Sequence, residues 1–191
     1  MTTCAVCHQT LSASVIDGVS DIRLSDTSYP YNGKTRKPSV IVKDRKGKSL
    51  KENVDYQVSY PQESRDVGQY TVTVQLIGNY SGIKSLSFTV SPETTKLLSV
   101  KPKKKAVVVK WKKQGNEING YQIQYATDKT FRKNVKTVDI AKSKTGSRTI
   151  TKLKAKKKYY VRIRTYKTVK TGGKKTKLYS AWSKAKSVTV K

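Results

Sequence analysis

Histidine, cysteine and acidic side chains are all scarce in this chain, and each scarcity removes a class of chemistry. His8 is the single histidine, and only 12 of the 191 residues are Asp or Glu. Hydrolytic and general acid–base catalysis draws on histidine or on paired carboxylates with displaced pKa values. Beyond residue 95 the only acids are Glu117, Asp128 and Asp139, so a glycoside-cleaving pair would have to come from three carboxylates on separate strands or loops. No catalytic activity is expected. No Gly-rich phosphate loop leads into a helix, because no helical periodicity is present. No run approaches the roughly 20 apolar residues of a membrane span, so membrane insertion is not expected. The opening MTTCAVCHQT lacks the charged-then-apolar pattern of an export signal, which places the signal of an exported parent upstream.

Both cysteines, Cys4 and Cys7, lie in the first seven residues, where they cannot staple the core of a later domain. With His8 they form the Cys-x-x-Cys-His spacing that attaches c-type haem. A second axial ligand is missing, since there is no other histidine and Met1 is the only methionine. A closed structural zinc site takes four ligands, and this segment offers three. Residues 1–19 read as a disordered tail, the stump of an upstream Cys-containing segment. A local disulfide, or zinc completed by a partner, are the alternatives, and no cofactor is expected.

What the chain does have is positive charge, unevenly placed. Residues 1–95 carry 11 Lys and Arg against 9 Asp and Glu, a balance of +2, whereas residues 96–191 carry 30 against 3, a balance of +27. Such a half attracts polyanions and repels its own copies, so a monomer is expected. Lysine clusters at 101–105, 154–158 and 174–177 suit phosphate neutralisation, but only eight of the 41 basic residues are Arg. Arginine is the residue of bidentate base and phosphate recognition, and no nucleic-acid-binding signature accompanies the lysines. An anionic cell-wall polymer or carbohydrate fits better than nucleic acid, and the plainer reading is a solvated surface that protects edge strands.

The twelve tyrosines and the many Val and Thr residues favour strands. Between Ile22 and Val90, PSVIVKD, VDYQVSY, GQYTVTVQLIG and IKSLSFTV alternate with period two, giving five or six strands. Asn32-Gly33, Lys46-Gly47-Lys48 and the stretch from Asn79 to Gly82 carry turn chemistry. SPETTK at 91–96 is polar, contains proline and marks a domain boundary. The second half repeats the pattern in AVVVKWKK, GYQIQYATD, KTVDIA, SRTITKL, YYVRIRTYK and SVTV. Parity sends Val107, Val109 and Trp111 to one face, as it does Tyr121, Ile123 and Tyr125, and Tyr159, Val161 and Ile163. The expectation is a seven-stranded sandwich here and an all-β chain throughout.

Residues 96–191 resemble a fibronectin type III domain, with Trp111 at the buried tryptophan of the second strand and Leu153 six positions before Tyr159. The resemblance implies a tyrosine corner, with the Tyr159 hydroxyl bonded to nearby backbone. The run LKAKKKYY lacks the family's usual turn glycine. Residues 20–92 resemble the bacterial immunoglobulin-like repeats of Gram-positive surface proteins in YNGKTRKPSVIVKD, GKSLKENVDYQVSY and VGQYTVTVQLIGNYSG. Together they imply two tandem immunoglobulin-like β-sandwiches from an extracellular or wall-attached parent.

On the face opposite Val161 and Ile163, parity places Tyr160, Arg162, Arg164 and Tyr166. Because the sixth and last strands of this fold are neighbours, Trp182 comes within stacking reach of Arg162 or Arg164. The group is either a structural ladder or a platform for a ligand or protein partner. The whole implies a non-catalytic spacer or adhesion pair, or alternatively a carbohydrate- or protein-binding accessory module of a secreted glycosidase. A flat, lysine-covered surface favours the first, and protruding aromatics in a concave face the second.

Overall fold

The computed structural model describes residues 2–3, 10–11, 18–171 and 173–191. It is all-β, and no helix occurs among the described residues. Strands β1 (Thr2–Thr3) and β2 (Thr10–Leu11) pair antiparallel, while Cys4, Cys7 and His8 lie outside the described residues. The chain divides into two compact units. One comprises residues up to Thr27, Lys37–Ser64 and Tyr70–Phe88; the other comprises Ser28–Arg36, Arg65–Gln69 and Thr89–Lys191.

In the first unit β3 (Val19–Leu24) pairs antiparallel with the strand Val40–Asp44. Between them in sequence β4 (Ser28–Pro30) belongs to the second unit and runs parallel to Thr89–Ser91, so Val40–Asp44 is β5. β6 (Tyr56–Ser59) pairs antiparallel with β7 (Gly68–Leu76), and β7 neighbours β8 (Gly82–Ser91). Val72, Val74 and Leu76 of β7 are buried and alternate with Thr73 and Gln75, the period-two pattern of a half-buried strand. Val42, Leu50, Tyr56, Val74, Leu76 and Tyr80 form one core.

The expected turn at Lys46-Gly47-Lys48 closes on Asp44. Its buried Oδ1 accepts the N–H groups of Lys46 (2.8 Å) and Lys48 (2.9 Å), and Gly47 takes the positive φ of 81° the turn needs. At the expected Asn32-Gly33 turn, Asn32 Oδ1 accepts the Lys34 N–H at 3.1 Å.

The second unit holds eight further strands, and its segments outnumber the seven expected from the sequence. They are β9 (Leu97–Lys103), β10 (Ala106–Trp111), β11 (Gly120–Ala126), β12 (Lys136–Ile140), β13 (Ser147–Ile150), β14 (Lys158–Thr171), β15 (Lys174–Tyr179) and β16 (Lys186–Thr189). β9 and β15 read LLSVKPK and KKTKLY, where lysine and proline interrupt the apolar alternation that marks strands elsewhere. β15 is instead held by backbone pairing with the far end of β14, a strand longer than its apolar core segment.

One sheet runs β13-β10-β9 and the other β12-β11-β14-β15, with β16 also on β14. Between them lies a core that includes Val107, Val109, Trp111, Tyr121, Ile123, Tyr125, Val161 and Ile163, the side chains that strand parity selects. The Trp111 and Tyr121 rings meet at 5.2 Å, and the Tyr121 hydroxyl accepts the Gln114 N–H (2.8 Å) and donates to the Ser143 carbonyl (2.9 Å). That pairing lets a buried phenol avoid the cost of an unmade hydrogen bond. Gly120 starts β11 where any Cβ would stand 1.9 Å from the Ile140 carbonyl oxygen, so only glycine lets β11 and β12 approach there. These two packed antiparallel sheets are an immunoglobulin-like sandwich.

Candidate functional site: an arginine and aromatic ladder on one sheet

The register of β11 against β14 sets Gln122 beside Arg164 and Gln124 beside Arg162. Arg162 donates Nε and Nη2 to Gln124 Oε1 at 3.0 and 2.7 Å, and Arg164 does the same to Gln122 Oε1 at 2.9 and 2.6 Å. Each guanidinium is thereby locked flat over its neighbour strand, with both faces open to ring stacking.

The rings fill those faces. Arg162 lies 4.3 Å from the Phe131 centroid and 4.5 Å from that of Trp182, and Arg164 lies 4.2 Å from Trp182 and 3.6 Å from Tyr179. The order is Phe131, Arg162, Trp182, Arg164, Tyr179, with Tyr166 next to Tyr179 at 6.1 Å and Lys177 over Tyr166 at 4.6 Å. Exposed cation–ring contacts contribute about 0.5 to 1 kcal/mol each, and more as they lose water.

Local backbone explains how Trp182 arrives there. Between the stretches of β14 that pair with β15 and β16, the segment Ser180–Ser183 takes the place of a strand. Ser180 and Ser183 donate backbone N–H groups to Thr165 and Ile163 carbonyls at 3.1 and 2.8 Å. Their hydroxyls accept the N–H groups of the same two residues, each at 3.1 Å. Serine side chains thus satisfy the β14 edge and leave Trp182 to project over the sheet.

Phe131 is placed by its loop. Asp128 accepts from the Thr130 hydroxyl (2.7 Å) and from the N–H groups of Thr130 (2.9 Å), Arg132 (2.9 Å) and Lys133 (3.1 Å). These bonds, the Thr130 side chain foremost, hold the Asp128 pKa well below the usual carboxylate range. Phe131 and Asn134 take positive φ values of 55° and 52° inside this loop.

A polar chain backs the ladder. Gln122 Nε2 donates to Asp139 Oδ1 at 2.8 Å, and Lys177 Nζ to Asp139 Oδ2 at 2.6 Å. Burial works against the Asp139 charge, but hydrogen bonds from Lys177 and Gln122 and the charges of Lys177 and Arg164 outweigh it, so its pKa is lowered. Lys177 is raised, chiefly by its bond to Asp139. Burial lowers the pKa of both Arg162 and Arg164.

Of the residues expected on this face, Arg162, Arg164 and Trp182 thus share one stack. Tyr166 joins it only through Tyr179 and is buried, 3% exposed. Tyr160 stands apart under Lys158, 5.6 Å from its ring. Phe131, Gln122, Gln124 and Tyr179 belong to the stack without being among the residues the sequence points to. The signal for the glutamines is GYQIQY set against YYVRIRTY, a Gln-x-Gln beside an Arg-x-Arg once the strands are paired.

At the tyrosine corner, the Tyr159 hydroxyl accepts the Lys154 N–H at 3.2 Å, and Leu153 and Trp111 are buried. In place of the usual glycine, Lys152 and Lys156 adopt φ of 61° and 58°. Among the described residues no group of three or more His, Cys, Asp or Glu side chains is placed to hold a metal ion, and no helix is long and apolar enough to cross a membrane.

Residues 91–181 match the fibronectin type III domain family. No curated protein matches the chain. Among solved structures, the FN1–FN3 domains of chicken CNTN1 are 15% identical, with a TM-score of 0.40, over 92% of this chain and 67% of that one. A structure described as a myokine is 16% identical, with a TM-score of 0.37, over 50% of this chain and 95% of that one.

Proposed function

We propose that this chain, with its fibronectin type III domain at residues 91–181, is a non-catalytic spacer or adhesion module pair of a bacterial cell-surface or secreted protein, with weak electrostatic attraction to anionic wall polymers. The immunoglobulin-like repeat at 20–92, the extracellular or wall location and the absence of catalysis belong to this reading. Fibronectin type III domains are generally non-catalytic modules and are common in extracellular proteins, which supports it.

The observation that carries the reading is the way the surface chemistry is spent. The aromatics of the ladder are interleaved with guanidinium groups and do not protrude as a sugar-stacking platform. The three acids of the second half are each engaged, Glu117 with Lys167, Asp128 with its own loop and Asp139 with Lys177. The +27 balance of residues 96–191 is therefore displayed mainly as exposed lysine. Such a surface acts through charge density more than through shape.

The test is retention of the 191-residue chain on Gram-positive cell walls before and after chemical removal of their teichoic acid. The reading expects retention on intact walls and its loss on stripped ones. Equal retention on both would contradict it.

A further inference from the structure

Two turns and the segment after β16 converge at one end of the second unit. Leu153 N–H donates to the Lys105 carbonyl at 3.0 Å, Lys105 N–H to the Lys191 carbonyl at 2.9 Å, and Lys156 N–H to the Val190 carbonyl at 2.9 Å. The β9–β10 and β13–β14 turns, both lysine-rich, are thereby tied together with Val190 and Lys191. Beside them a cavity of about 370 Å³ opens between the β11–β12 loop and the β13–β14 turn. Tyr125 and Tyr159 line it, their rings 6.4 Å apart and tilted by 54°. Asn134 and the exposed lysines Lys136, Lys152 and Lys154 complete its mouth.

Backbone strain is concentrated at the same end. Lys105 (φ 49°), Phe131 (55°), Asn134 (52°), Lys152 (61°) and Lys156 (58°) are all left-handed, against two other non-glycine cases, Asn53 and Glu117, among the described residues. Left-handed backbone costs an ordinary side chain roughly 1 to 2 kcal/mol. Such strain persists where the surroundings enforce it, and it gathers at binding sites. Here it sets the two loops that form the cavity walls.

The lining is suited to one kind of ligand. No acidic side chain lines the cavity, and Asp128 in the adjoining loop spends its oxygens on Thr130, Arg132 and Lys133. The Tyr159 hydroxyl accepts the Lys154 N–H, which leaves its own proton for a ligand oxygen. The volume is at the small end of ligand pockets, room for one ring and a charged substituent. A nucleobase needs an exposed ring face to stack on, and Tyr125 is only 9% exposed. Lysine without arginine in the lining also favours recognition of a point anion over bidentate recognition.

We propose that this end of the second unit binds a linear anionic polysaccharide, with the Tyr159 hydroxyl donating to one acidic sugar at the cavity mouth while Lys136, Lys152 and Lys154 neutralise its charge. Lysines of the adjoining turns then meet the neighbouring units of the polymer. The site rests on the electrostatic reading above and gives it a location and a ligand class.

Calorimetric titration of the full chain with a galacturonate oligomer tests this, with an oligothymidylate of matching charge as comparator. The cavity variant is Lys136→Gln/Lys152→Gln/Lys154→Gln; the control is Lys112→Gln/Lys142→Gln/Lys144→Gln, which removes the same charge elsewhere on the unit. Galacturonate affinity is expected to fall roughly tenfold in the cavity variant and less than about threefold in the control, the scale of three exposed ion pairs. Equal losses in both variants overturn the cavity and leave the diffuse electrostatic reading standing. Failure of the parent chain to bind any polyanion at low salt overturns both. Tighter binding of oligothymidylate, weakened by the same cavity variant, overturns the polysaccharide assignment in favour of nucleic acid.

Discussion

Arg164 donates twice to Gln122 Oε1 while its guanidinium lies between the rings of Trp182 and Tyr179. One side chain therefore joins strand β11, strand β14 and the segment between β15 and β16. Gln122 is 7% exposed because of it, although strand alternation alone assigns that position to solvent. Truncation as Arg164→Ala removes two cation–ring contacts and leaves a buried amide oxygen without its donors. The expected loss is about 2 to 3 kcal/mol, and Arg164→Lys recovers only part of it, since an ammonium cannot make the fork. Both tryptophans, Trp111 and Trp182, lie in the second unit, so tryptophan-monitored urea unfolding reads that unit directly. An unchanged midpoint for Arg164→Ala would mean that the ladder adds nothing to stability.

Gly120→Ala tests a close approach with no room to yield. The added carbon meets the backbone oxygen of Ile140, which cannot swing away as a side chain would. Overpacking against backbone is expected to cost about 3 kcal/mol or more, read as a lower urea midpoint.

Lys156→Gly works in the opposite direction. A left-handed lysine is strained and glycine is not, so relief of roughly 1 to 2 kcal/mol is set against about 0.5 to 1 kcal/mol of extra unfolded-state entropy. A net gain of up to about 1.5 kcal/mol is expected in the same urea experiment.

Acid should weaken the second unit in a defined window. The folded-state pKa of Asp139 is lowered, so its carboxylate contributes stability above the unfolded value of about 3.9 and loses that contribution as the pH falls through the folded value. Asp128, also lowered, adds to the fall in the same acid range. The urea midpoint should drop between about pH 5 and more acidic solution, and Asp139→Asn should flatten that slope without abolishing it. An equally steep slope in the variant would contradict the role given to Asp139.

The sandwich core was legible because its side chains obey parity in VVVKW, YQIQY and YYVRIR, and burial follows parity wherever one face of a strand packs. The stacking of Trp182 on arginine followed from strand adjacency. The remaining rungs did not. Phe131 reaches Arg162 only because Asp128 wraps its loop, and Tyr179 reaches Arg164 because β14 extends far enough to pair with β15, a length no apolar pattern records. The cavity lined by Tyr125 and Tyr159 was equally hidden, since its walls come from two loops whose left-handed lysines and asparagine carry no local sequence signal.

The proposed role of the basic second half is attraction of anionic polymer through charge. Its most direct test is retention of the chain on Gram-positive walls as ionic strength rises from about 0.1 M to 1 M, over which the screening length contracts from about 10 to 3 Å. Retention at low salt that falls steadily as salt rises, and is competed by heparin, is the expected result. Retention that persists unchanged at high salt, or is absent at low salt, would contradict it.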